Sequence, residues 1–233
     1  MSDAGVPRVV VAHLTDEELD VLTDGCDDVV SRPHLSVLEH EERAAARRAA
    51  ARSLTARGLL PAEGSGPDGE ATSLGSVLSV RAGAPEVVVL HRRVGETSLT
   101  RYLFVLDPVV VCEDLTEGGV HTLSVVEAKD REALGVEFLV PPDAAPAPER
   151  TSWQVPGGTA AADLLATLGH PVVLAESVQL HTDRPPPPAL LLALGPSGCY
   201  VLEARDDTGW TVQPGSPSQV AHRATARAPG AHG

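Results

Sequence analysis

Between Glu86 and Glu127 the chain passes through four extended segments in quick succession: Glu86–Arg93, Leu99–Leu106, Val109–Glu113 and Val120–Glu127. Each is rich in β-branched residues and bounded by Gly, Asp or Pro, the usual marks of strand ends. The connections are far shorter than the dozen or so residues that a crossover between parallel strands needs, so neighbours are expected to pair antiparallel. Val136–Val140 is read as a fifth strand on the same grounds.

The segments ahead of this run have a helical period. In "HLTDEELDVLTDG" (residues 13–25), Thr15 and Glu18 form a capping box, Leu14 and Leu19 the flanking hydrophobic staple, and Gly25 a stop. A helix over Asp16 to about Thr23 follows. "SVLEHEERAAARRAAARSLTARGLL" (residues 36–60) repeats the logic. Ser36 and Glu39 suggest a second capping box, glutamates fill the first turn, and Gly58 can end the helix. Its inward stripe reads Leu38, Ala45, Ala49, Ala56 and Leu60, mostly small side chains that permit a close neighbour. A turn-rich connector (61–72) precedes a short helix over Leu74–Val80. An early strand at Val9–Val11 opens the whole.

After the proline-rich stretch "PPDAAPAPER" the plan recurs in brief. Thr159 can cap a helix over Ala160–Leu168, and strands follow at Val172–His181, Ala189–Leu194, Cys199–Arg205 and Trp210–Val212. Pro185–Pro188 cannot donate ladder hydrogen bonds and belong in a loop or on an edge. Ser216, Pro217 and Gln219 supply cap, first-turn proline and capping-box partner for a last helix. The expected fold is α+β: a mainly antiparallel sheet with flanking helices, in two loosely related halves. The divisions are 1–140, a connector at 141–158, 159–228 and a tail at 229–233.

Composition narrows the function classes. The 233 residues are 42% hydrophobic and 21% charged, as in an ordinary globular protein, with aromatics at only 3%. The core must therefore be Val, Leu and Ala. Lys129 is the only lysine and asparagine is absent, a bias that points to a GC-rich genome. Apolar runs such as Ala189–Leu194 fall far short of the roughly 20 residues a bilayer needs. No basic-then-apolar stretch opens the chain, so a cytoplasmic location without membrane contact is expected. Cys26, Cys112 and Cys199 lie far apart and read as buried reduced thiols. A net charge of −14 repels nucleic acid at long range.

No motif survives as chemistry. Gly64, Gly66 and Gly69 match the letters of a dinucleotide fingerprint, but a helix precedes them where a strand is required. "HEERA" at His40 starts like a zinc-protease helix and lacks the second histidine. "GPSGC" around Ser197 reads as a hairpin turn rather than a nucleophile elbow. Catalytic, cofactor-binding and metal-binding residues are accordingly none, and no enzyme activity is expected. Arg43, Arg47, Arg48, Arg52 and Arg57 spread around a broad arc of the second helix. They leave a DNA-binding regulator with a degenerate winged-helix N-terminal half as the alternative. Its recognition helix would offer only Arg81, too few phosphate contacts to carry affinity. An architectural role for the arginine helix is the stronger expectation.

The stretches "LTDEELDVL", "EERAAARRAAARSLTARGLL" and "LGSVLSVRAGAPEVVVLHRR", spanning Leu14–Arg93, resemble the EspG family, the cytosolic chaperones of actinobacterial type VII (ESX) secretion. The two-half α+β layout extends the likeness to the rest of the chain. The resemblance implies a protein that binds a secreted helical PE/PPE-like substrate and keeps it soluble, without turnover or cofactor. An exposed sheet face or hairpin near Arg101–Leu106, or the proline loop, would cover an apolar tip of that client. Tyr102 and Phe104 are the residues expected to touch it. A homodimer is compatible with this arrangement.

Overall fold

In a computed structural model of the chain, residues 6–25, 29–60, 69–148, 151–205 and 209–226 are described. In chain order the first elements are β1 (Val9–Thr15), α1 (Asp16–Leu22), α2 (Pro33–Ser36), α3 (His40–Ala56), α4 (Gly69–Gly83), β2 (Glu86–Val94), β3 (Thr97–Leu106), β4 (Val109–Thr116) and β5 (Val120–Glu127). They are followed by α5 (Arg131–Leu139), β6 (Trp153–Pro156), α6 (Ala161–Thr167), β7 (Val173–His181), β8 (Leu190–Gly195), β9 (Gly198–Arg205), β10 (Gly209–Gly215) and α7 (Pro217–Thr225). The fold is α+β, and the strands pair antiparallel, as the short connections require.

Two compact units share the chain. The N-proximal unit comprises Arg8–Pro85 and Tyr102–Ala128; the C-proximal unit holds Glu86–Arg101 and Lys129 onward, together with Met1–Pro7. Strand β3 divides between them at Arg101 and Tyr102.

In the N-proximal unit the strand order is β1-β5-β4-β3. β1 lies against β5 with Leu14 opposite His121, and β4 lies on the other side of β5 with Leu115 opposite the same histidine. Helix α1 begins where the capping box placed it. Thr15 Oγ1 accepts from Glu18 N at 3.3 Å, and Glu18 Oε2 accepts from Thr15 N at 3.2 Å. Leu14 and Leu19, the expected staple, are both buried. Helix α3 starts later than expected. Ser36 closes the short helix α2, its hydroxyl donating to Pro33 O at 2.8 Å, and the capping pair is Glu39 with Glu42. The buried face of α3 is Ala50 and Leu54, while Ala45, Ala49 and Ala56 are exposed. The shift has a cause. Arg47 and Arg57 reach carboxylates of α1, so the face toward α1 carries Arg47, Ala50, Leu54 and Arg57 in helical register.

In the C-proximal unit the order is β3-β2-β7-β8-β9-β10-β6. Leu174 lies opposite Arg93 on β2 and Ala193 on β8, so these residues share one face. Helix α7 packs on the other face, where the Ser177 hydroxyl donates to Ala224 O at 2.6 Å and Gln179 Nε2 to Ala226 O at 2.7 Å. Its Ser216–Gln219 capping box forms as expected. Beside α7 lies α5, with Gly135 against Thr225; a Cβ there would collide with the threonine methyl.

Val136–Val140 is not a strand. Val136–Leu139 finish helix α5 and Val140 caps it; the buried positions Arg131, Leu134, Gly135, Phe138 and Leu139 follow the helical period from a start five residues earlier. The β-branched ending alone suggested extension; packing against α7 decided otherwise. Strand β6 and helix α2 are further elements not expected from the sequence, and α4 is longer than Leu74–Val80. The turn at Pro196-Ser197 joins β8 to β9 as a tight hairpin, with Gly195 paired to Gly198.

Candidate functional site

Helix α6 covers one face of the C-proximal sheet only in part. Leu164 and Leu168 pack with Trp153, Val155, Ala193, Tyr200, Leu202 and Val212, a cluster over β8, β9, β10 and β6. Trp153 and Tyr200 meet edge to face with ring centroids 5.7 Å apart. Over β7 and β2 the same face has no helix upon it among the described residues. There Leu174 is 38% exposed, and Glu176, His91 and Arg93 project beside it.

The step from covered to open sheet forms a groove of about 350 Å³. Leu164, Leu165 and Leu168 make its wall, and Leu174 and Leu191 its floor. Its far rim is polar. His91 bridges Thr100 Oγ1 and Ser98 Oγ, each at 2.9 Å, and Arg93 and Glu176 add one charge of each sign. An apolar bed with a sparse polar rim suits an apolar ligand surface whose edge is polar.

A second cavity, about 500 Å³, lies on the opposite face. Pro187, Pro188, Leu190 and Ala226 line it together with Gln179, Glu203, His222 and Arg223. It is the more polar of the two and places the proline loop beside α7.

Tyr102 and Phe104 are in the core of the N-proximal unit, each 2% exposed. Their rings stack with centroids 6.3 Å apart, Arg81 lies 5.0 Å over Phe104, and Tyr102 Oη accepts from Ser31 N at 3.1 Å. Arg101 is buried too and lies 4.8 Å over Phe138. Of the stretch Arg101–Leu106, only Leu106 reaches the surface substantially.

The arginine helix is tied into its own unit at three points. Arg47 pairs with Asp20 and Asp24, Arg57 Nη1 with Glu18 Oε2 at 2.7 Å, and Arg43 donates to Leu35 O at 3.0 Å. Arg81 is buried with its Nε 2.6 Å from Glu113 Oε2. The cation that the winged-helix alternative offered to DNA is therefore consumed inside the protein.

Cys112 and Cys199 are buried, and burial pushes the Cys199 thiol above its ordinary range. Cys26, Gly64 and Gly66 lie outside the described residues. Among the described residues no group of three His, Cys, Asp or Glu side chains could hold a metal ion, and no helix is long and apolar enough to cross a membrane.

The groove was not visible in the sequence. One signal was present: Leu174 alternates with Val173 and Ala175, which point inward, so it had to face out.

No protein-family model matches the sequence, and no curated protein matches it. Among solved structures the chain is similar to EspG5, the chaperone of the Mycobacterium tuberculosis type VII secretion system, in complex with a PE25–PPE41 dimer. The TM-score is 0.58 at 14% identity, and 94% of each chain is covered. At this identity the likeness concerns the fold. It extends over nearly the whole chain the resemblance first carried by Leu14–Arg93.

Proposed function

We propose that this protein is a cytosolic, non-enzymatic chaperone of a type VII secretion system, which binds a secreted helical substrate of the PE/PPE kind. The observation that carries this reading is the shared fold: 94% of this chain superposes on 94% of a secretion chaperone whose structure includes its bound PE–PPE pair. The groove supplies a physical reason. A secreted helical pair with an apolar end cannot leave that end in water, and a fixed apolar bed is the simplest cover. The leucines of α6 and the open strands β7 and β2 offer such a bed.

Binding of this kind needs no proton transfer and no metal. Affinity comes from removing apolar surface from water, and the rim charges Arg93 and Glu176 set orientation. Tyr102 and Phe104 enter only as packing residues that fix β3.

Co-expression tests the reading. A PE/PPE-like pair of the host should be recovered in the soluble fraction with this protein and be insoluble or degraded without it. Equal solubility of the pair in both cultures would count against a chaperone role.

A further inference from the structure

Four ionisable side chains form a buried line inside the N-proximal unit, joining four elements. Arg81 Nε near the end of α4 donates to Glu113 Oε2 on β4 at 2.6 Å. Glu113 Oε1 lies 2.7 Å from His121 Nδ1 on β5, and His121 Nε2 lies 2.7 Å from Asp16 Oδ1 at the start of α1. Asp16 Oδ2 accepts from His34 N on α2 at 2.6 Å, and Asp16 N donates to Gly119 O at 3.0 Å. Asp16, Glu113 and His121 have no solvent exposure.

The imidazole stands between two carboxylate oxygens, and both of them are acceptors. It can satisfy both only with a hydrogen on each nitrogen, which makes it an imidazolium. Arg81 and His121 then balance Glu113 and Asp16, and the line is neutral. With the ring proton gone, a nitrogen lone pair would face a carboxylate oxygen at hydrogen-bonding distance. The buried line would also carry one uncompensated negative charge.

We propose that His121 is a pH-operated latch, holding the β1–α1–α2 corner onto the β4–β5 hairpin when protonated and loosening it as the pH rises. Burial pushes the His121 proton affinity down, but the hydrogen bonds its ring donates to Asp16 and Glu113, with the charges of those carboxylates, more than offset it and leave the ring titrating above its ordinary 6.5. Among the described residues, few ionisable groups face the line. They are Asp16 from α1, Glu113 from β4, Arg81 from α4 and His34 from α2. The neighbouring charges His13, Asp114 and Arg8 belong to the opposite strand face, with His13 on Thr122 and Arg8 on Asp114. On α1, Glu18 is paired to Arg57 and Asp20 to Arg32 and Arg47, and Glu17 is the remaining acid of that helix.

The sign follows from linkage. A group whose affinity is raised by folding contributes stability in full below its unfolded titration near 6.5. That stability is lost as the pH rises through the folded midpoint. Opening of the corner should therefore increase by about tenfold per pH unit between 6.5 and the folded midpoint, and level off above it.

The test is a proton-detected titration of the His121 ring in the intact protein from acid to alkaline pH, with amide exchange read over α1. The expected result is a His121 midpoint above 6.5 and protection factors of α1 that fall across the same window. Amides of β8 and β9 should stay level. A His121 midpoint at or below 6.5, or α1 protection independent of pH, would overturn the latch. His121→Gln, whose amide donates only from its nitrogen end and takes no charge, should lose the pH dependence; retention of it also overturns the proposal. If that variant does not fold, the wild-type titration and exchange decide alone.

Discussion

Gly119 turns the chain between β4 and β5 with a φ of +66°, a conformation that L side chains rarely adopt. A Cβ there would run into the His34 ring and lie 3.2 Å from the Asp16 carboxyl. Gly95, between β2 and β3, has a φ of +58° and nothing within 4 Å. The pair separates backbone strain from crowding. Gly95→Ala should cost about 1 kcal/mol from strain alone, and Gly119→Ala roughly 3 kcal/mol, because displacement of His34 is added. Urea denaturation of the two variants measures the difference. Tyr102 and Phe104 belong to the same scale. Their burial makes Phe104→Ala a core deletion costing about 3–5 kcal/mol, whatever its effect on a partner. At Glu18, burial pushes the carboxyl up, but the Ser53 hydroxyl and the Arg57 guanidinium more than offset it, so it titrates below 4.5. Its contribution is complete above pH 4.5 and lost as the pH falls through the lowered midpoint, opposite in sign to His121. Stability measured across pH should therefore be greatest between 4.5 and 6.5, with Glu18→Gln flattening the acid limb.

At the scale of elements, the starts of α1 and α7 were the most legible features because their signals are local. Thr15 with Glu18 and Ser216 with Gln219 each form the box their spacing announced. Thr15→Ala should cost about 1 kcal/mol, read as a lowered denaturation midpoint with an unchanged slope. Strands β2 to β5 were legible for a related reason: β-branched runs between tight turns admit few alternatives. Legibility ended where a neighbour decides. Val136–Val140 carries strand-like residues, yet Gly135 against Thr225 and the buried Phe138 commit it to a helix. The buried stripe of α3 was misplaced because Arg47 and Arg57, left off the inward stripe, bind carboxylates of α1. Of the candidate groove, Leu164, Leu165 and Leu174 could be read as apolar. That α6 stops short of β7 and β2 is a tertiary fact, and no residue spacing records it.

At the scale of the whole molecule, the proposed chaperone role puts a client on the C-proximal unit and leaves the N-proximal unit a self-contained ionic and apolar body. The arginine helix serves the second. Three of its arginines are engaged by acceptors of that unit, which argues for architecture over nucleic-acid contact. Leu174 offers the cleanest way to separate docking from folding. Its side chain is 38% exposed, so Leu174→Arg should change thermal stability little while placing a charge in the apolar bed. The decisive measurement is light-scattering mass of the protein co-purified with a PE/PPE-like pair of its host, wild type beside Leu174→Arg. A stoichiometric complex is expected for the wild type, and for the variant a folded protein that elutes alone. Elution of the wild type alone beside a soluble pair would contradict the chaperone reading, and an intact complex with Leu174→Arg would move the docking surface elsewhere.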